Sequence, residues 1–141
     1  MEPRQIDFTL GNASDAHVRI EVLGYEHPEV AEPHGLDLLE CRVHAAAAPV
    51  SGEFVFSLRV VELIDLRGYL AEINSGNGPP ATHALANGLF NLSFAPSRRG
   101  PVLCAVLLKS IDTSHVRLEF MVTLEPLDIG RALANLAKLS L

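Results

Sequence analysis

The stretch Glu53-Phe-Val-Phe-Ser-Leu-Arg-Val-Val-Glu-Leu-Ile-Asp-Leu-Arg-Gly-Tyr-Leu-Ala-Glu-Ile-Asn74 decides the fold. Phe54, Phe56 and Leu58 alternate, the period of a strand with one buried face. Leu63, Leu66, Leu70 and Ile73 then recur at three and four, the period of a helix. A strand that runs directly into its covering helix, with further alternating runs on either side, predicts a strand-rich α+β domain. The expectation is antiparallel sheet of about seven to eight strands under two helices, at about 60–74 and about 126–138.

On the N-terminal side, Ile6, Phe8 and Leu10 form one alternating run and Val18, Ile20 and Val22 another. Leu39, Cys41, Val43 and Ala45 form a third, extended through the alanines because so few residues before Pro49 cannot nucleate a helix. Ser51-Gly52 reads as the hairpin turn back into Glu53.

On the C-terminal side, Asn74-Ser-Gly-Asn-Gly-Pro-Pro80 stops the helix and opens a loop. Phe90, Leu92 and Phe94 alternate next. Residues 102–108 are apolar in both phases, which predicts a central strand covered on both faces. Val116, Leu118, Phe120, Val122 and Leu124 mark the last strand. Pro126 suits a helix first turn, and Leu127, Ile129, Leu133, Leu136 and Ala137 predict a well-buried final helix with Gly130 on its packed side.

The first helix carries a second stripe, Val61, Ile64, Gly68 and Ala71, roughly opposite the first. Either residues 74–86 bury it or a partner does. Its missing Ser, Thr, Asp or Asn cap is partly offset by Glu62 and Asp65 near the positive end. Gly68 suggests close approach of another backbone, since glycine within a helix costs about 1 kcal/mol relative to alanine.

At 141 residues the length suits one domain. Cys41 and Cys104 sit in apolar runs without CxxC spacing and read as buried reduced thiols. The first residues lack the basic and apolar pattern of a signal peptide, and no apolar run approaches the roughly 18 residues of a membrane span; the expectation is a cytoplasmic protein without membrane contact. A net charge of −6 with no Lys/Arg cluster disfavours nucleic acid and suits a basic protein partner.

Chemistry is sparse. His17-Arg19-Glu21, Glu40-Arg42-His44 and His115-Arg117-Glu119 share the outward phase of three strands. Converging imidazoles and carboxylates there would make a metal site, but each histidine alternates with an arginine, which disfavours a bound cation and favours cross-strand ion pairs. Glu26, His27, Glu29, Glu32 and His34 crowd one loop. No GxSxG elbow or phosphate-cradling P-loop is present, so no catalytic residue, metal site or cofactor is assigned.

Val22-Leu-Gly24-Tyr25-Glu-His-Pro28, Asp37-Leu-Leu39-Glu-Cys41-Arg-Val43, Gly52-Glu-Phe54 leading into Leu58 and Leu63, Leu92-Ser-Phe94, Gly100, and Leu118-Glu-Phe120 followed by a helix resemble the WapI-type immunity protein family. The likeness runs over nearly the whole chain. It implies a small cytosolic bacterial protein that neutralises a cognate toxin, a nuclease in the best-known system. The chain departs from the family at Leu38, where an aromatic residue is common, near Val60, where a Thr or Asp cap is common, and in its apolar residues 102–108.

The resulting expectation is a non-enzymatic immunity-like protein that occludes a protein toxin. Its interface would comprise Glu26, His27, Glu29, Glu32 and His34 with Val61, Ile64 and Ala71 of the second stripe. The alternatives are a small metal-dependent hydrolase on the histidine-bearing face and a ligand-binding module with its pocket under the final helix. Oligomeric state is open.

Overall fold

In the computed structural model, which describes residues 6–26, 37–98, 100–110, 112 and 115–139, the chain forms two four-stranded antiparallel sheets and two helices. The first sheet is the meander β1 (Ile6–Gly11), β2 (His17–Tyr25), β3 (Leu38–Ala47) and β4 (Val50–Arg59). Helix α1 (Val60–Asn74) leads to the second meander, β5 (Ala81–Leu85), β6 (Phe90–Ala95), β7 (Val102–Lys109) and β8 (Arg117–Leu124). Helix α2 (Pro126–Leu136) follows and lies against β1 and α1. The fold is α+β and strand-rich, as the periodicities predict.

The inward phases of both sheets join one apolar core. Phe8, Leu10, Val18, Ile20, Cys41, Val43 and Leu58 enter it from the first sheet, and Phe90, Leu92, Cys104, Val106 and Leu108 from the second. Phe56 stacks on Phe90 with ring centroids 5.9 Å apart, which fixes one sheet against the other. Leu63, Leu66 and Leu70 of α1 are completely buried in the same core, and Ile129, Ala132 and Leu136 of α2 are nearly so.

Both helices begin without a hydroxyl or Asx cap. Each instead uses the returning half of a capping box: Glu62 accepts the backbone N–H of Arg59 at 2.9 Å, and Asp128 that of Glu125 at 2.9 Å. At the far end of α1 the Ser75 hydroxyl donates to Glu72 O at 2.7 Å, and the N–H of Gly76, at φ +87°, to Ile73 O at 3.1 Å.

Several local expectations are corrected. The β3–β4 turn falls at Ala48-Pro49, and Ser51 and Gly52 lie inside β4, paired with Ala46 and Ala45. Proline has no N–H to give a ladder, so it takes the turn in preference to Gly52. Strand β5 occupies residues to which the sequence assigns no element; Ala81-Thr-His-Ala-Leu85 has too few large apolar side chains to show a period.

Strand β7 is covered fully on one face only, since Leu103 is 43% exposed. In β8 the inward phase is closed at Val122 and Leu124 but opens toward Val116, which is half exposed. Helix α2 stops two residues before the expected 138, and Leu127 is exposed. Among the described residues, a methyl group added at Gly68 or Gly130 would meet no atom within 4 Å, so none of their backbone approaches either glycine.

These glycines differ in kind from Gly78, where an added Cβ would lie 3.1 Å from the Ile73 backbone and closer still to its side chain. Gly68→Ala therefore raises unfolding stability by about 1 kcal/mol through helix propensity alone. Gly78→Ala lowers stability, and Leu66→Ala lowers it by about 2–5 kcal/mol through the cavity it leaves. Urea denaturation of the three variants checks the order.

Candidate functional site

The outward face of the first sheet carries the most organised polar chemistry. Register sets it: Asp7 opposes Glu21, Thr9 opposes Arg19, Arg19 opposes His44, Glu21 opposes Arg42, and His44 opposes Glu53. Acids and bases are interspersed along β2 and β3, but Asp7 faces Glu21 and Arg19 faces His44 directly across, so the short contacts Arg19–Asp7, His44–Glu21 and Arg42–Glu53 run diagonally between strands.

Glu21 is the centre of this face. Its side chain is only 6% exposed although it points away from the apolar core, and its carboxylate takes His44 Nε2 at 2.6 Å and the Arg19 guanidinium at 3.2 Å. Arg19 also reaches Asp7 at 3.0 Å. A carboxylate this buried requires paired partners, because desolvation disfavours an isolated charge. Glu53 lies 3.0 Å from Arg42 Nε and 3.6 Å from His44 Nδ1. The Arg42 contact is an ion pair by distance, lying off the hydrogen-bond direction of its N–H.

The geometry directs this face toward ion pairing. Because a carboxylate only accepts, His44 Nε2 carries the proton of its short contact to Glu21 and has no lone pair to give a metal. His17 Nδ1 donates to Asp15 O at 2.8 Å by the same logic, at the opposite end of β2 from the bulge. His115 precedes β8, in the other sheet, so the three histidines do not converge. Among the described residues no group of three or more His, Cys, Asp or Glu side chains is placed to hold a metal ion.

Of the interface residues proposed from sequence, Glu26 is exposed beside this face, accepting the Ser57 hydroxyl at 2.9 Å, with its own N–H donated to Leu38 O at 2.8 Å. The N–H of Val60 is bonded to Asp37 O at 3.0 Å, which brings the first turn of α1 to the same end of the sheet. Val61 is half-buried there, and Ile64, also half-buried, packs against the core. Ala71 is exposed about 15 Å beyond Val61 along the helix axis, so it does not join that first turn. His27, Glu29, Glu32 and His34 lie outside the described residues.

Gly24, within the Gly-Tyr corner that carries much of the family likeness, has φ +142° beside a β-bulge between Val22 and Gly24. That backbone conformation favours glycine for local steric reasons. Two clefts lie elsewhere. One of about 510 Å³ separates the tips of the β1–β2 and β3–β4 hairpins and is lined by Ser14, His17, Ala47 and Pro49. Another, of about 310 Å³, lies at the start of α2, with Ile73, Val102, Leu124 and Ile129 below and Ser97 and Arg98 at its rim. Neither was placed from sequence except as a pocket under the final helix, because residues from three separated segments build the second one.

Compared with protein-family models, curated proteins and solved structures, the chain matches none.

Burial pushes both thiols up to about 12, that of Cys41 with help from Glu62 and Glu40. Neither sulfur is a thiolate near neutral pH. A thiol-reactive disulfide reagent at pH 7.5 accordingly labels no cysteine in the native chain within minutes and two after denaturation; fast labelling of either native thiol contradicts this.

Proposed function

We propose that the chain is an immunity-like binding protein that neutralises a cognate bacterial toxin by covering its functional surface. The observation that supports this reading is the outward face of the first sheet, where Asp7, Glu26, Glu40 and Glu53 are exposed and Arg19, Arg42 and Arg59 offset them only in part. A face with an excess of carboxylates favours encounter with a basic partner, and its interleaved arginines give that encounter an orientation. A nuclease domain, which must itself present basic surface to phosphates, is a fitting class of partner. Arg19 holds Asp7 and Arg42 holds Glu53 on the strands, which reduces the side-chain order lost on binding.

The test is binding of the toxin domain encoded beside this chain, with growth of a toxin-producing cell as the second readout. Neutralising Asp7, Glu40 and Glu53 together (Asp→Asn, Glu→Gln) slows association by about tenfold or more at low salt, and the difference shrinks as salt rises. No binding, or association insensitive to these charges and to salt, speaks against the reading.

The cleft at the start of α2 supports a second reading, a module that binds a small molecule through an apolar floor and a polar rim. A ligand held there at a hundred times its dissociation constant raises stability by about 2.7 kcal/mol, visible in a thermal-shift screen. Arg98→Gln should remove the shift for acidic ligands and leave the fold intact.

A further inference from the structure

We propose that β5 is a proton-released edge strand: protonation of His83 undocks it from α1 and opens the edge of β6. The inference is independent of the immunity reading. His83 faces inward from β5, with its ring centroid 5.0 Å from that of Tyr69 on α1 and 5.8 Å from that of Phe94 on β6, the latter edge-on. Tyr69 and Phe94 also touch each other, at 5.1 Å. Within this aromatic slot His83 Nε2 is closed off from solvent and has no hydrogen-bond partner among the described residues.

A neutral imidazole tolerates that position with a bare lone pair on Nε2. An imidazolium does not, because the added N–H would be a cationic donor in an apolar slot with no acceptor. The groups facing the slot from each element are few. Helix α1 brings Asp65 and Tyr69, β6 brings Leu92 opposite His83 and Phe94, and β7 brings the Cys104 thiol behind Phe94. Asp65 favours the cation, but it is exposed, and burial outweighs it: His83 is held below the ordinary histidine value.

The direction of the pH effect follows. The docked strand prefers the neutral ring, so docking is complete above about pH 6.5 and weakens as pH falls through the lowered value. The strand is suited to release. It has five residues, one neighbour, and the outermost place in its sheet. Pro79 and Pro80 precede it and contribute no N–H to any ladder, and the Tyr69 hydroxyl's bond to Pro79 O at 2.6 Å is an added tether. Once β5 leaves, the freed edge of β6 presents backbone groups to which an extended segment of another chain can add.

Hydrogen exchange of the full chain, corrected for intrinsic rates, tests this between pH 7.5 and pH 5. Protection of residues 81–85 should fall, by at most about thirtyfold at pH 5 for an imidazole whose ordinary value is about 6.5, while β7 keeps its protection. His83→Phe fills the slot without a titratable nitrogen and abolishes the difference, and His83→Gln serves the same comparison if the phenylalanine variant misfolds. NMR titration of the wild-type ring needs no variant. A midpoint at or above 6.5, equal loss of protection in β5 and β7, or a pH response that survives both substitutions overturns the proposal.

Discussion

Each sheet has one apolar face, and the two must be closed against each other and against solvent at their open side. Helix α1 provides that closure: Leu63, Leu66 and Leu70 are fully buried, while Phe56 and Phe90 meet across the sheets. Dispersion and hydrophobic transfer act over the same surface, at roughly 25 cal/mol per Å² of apolar area removed from water. Because α1 leaves β4 at Arg59 without an intervening loop, the helix is set by the strand before it. Asp37 accepting from Val60 and Glu62 from Arg59 secure that junction.

The division of labour between the two outward faces follows from composition. The first sheet turns arginines, histidines and carboxylates outward, and Glu21 is buried among them by partners on both neighbouring strands. The second sheet turns Thr82, Ser93, Ala105 and Met121 outward in one cross-strand row, with no charge in it. The cross-strand ion pairs therefore lie on the first sheet, while the second carries the exposed Arg117–Glu119 contact within β8, at 3.4 Å. The edge carrying His83 belongs to the second sheet, so titration there leaves the ion-paired ladder untouched.

How much of this was legible in the chain depended on whether a residue's neighbours in sequence or in space decided its fate. Helix α1 was readable because Leu63, Leu66, Leu70 and Ile73 repeat at three and four between a strand pattern and the Gly/Pro segment that stops it. The Glu40-Arg42-His44 phase was readable as an ion-pairing face, though which histidine would meet Glu21 depends on a register that alternation cannot supply. Strand β5 was missed because alanine, threonine and histidine carry almost no periodic signal, and the aromatic slot around His83 was missed with it. The Ser51-Gly52 turn was misplaced by turn composition, which Pro49 overruled through its absent N–H. Gly68 implied a close backbone that no described residue supplies.

Every strand pairing joins segments that follow one another along the chain, β1 to β2 through β3 to β4, and β5 to β6 through β7 to β8. Such zigzag connectivity needs only short loops to be closed, so the entropy lost in forming either sheet is small at each step. The expensive encounter is a single one, the meeting of the two finished halves. An all-sequential topology of this kind belongs with faster-folding β-rich chains than one whose strands cross between sheets.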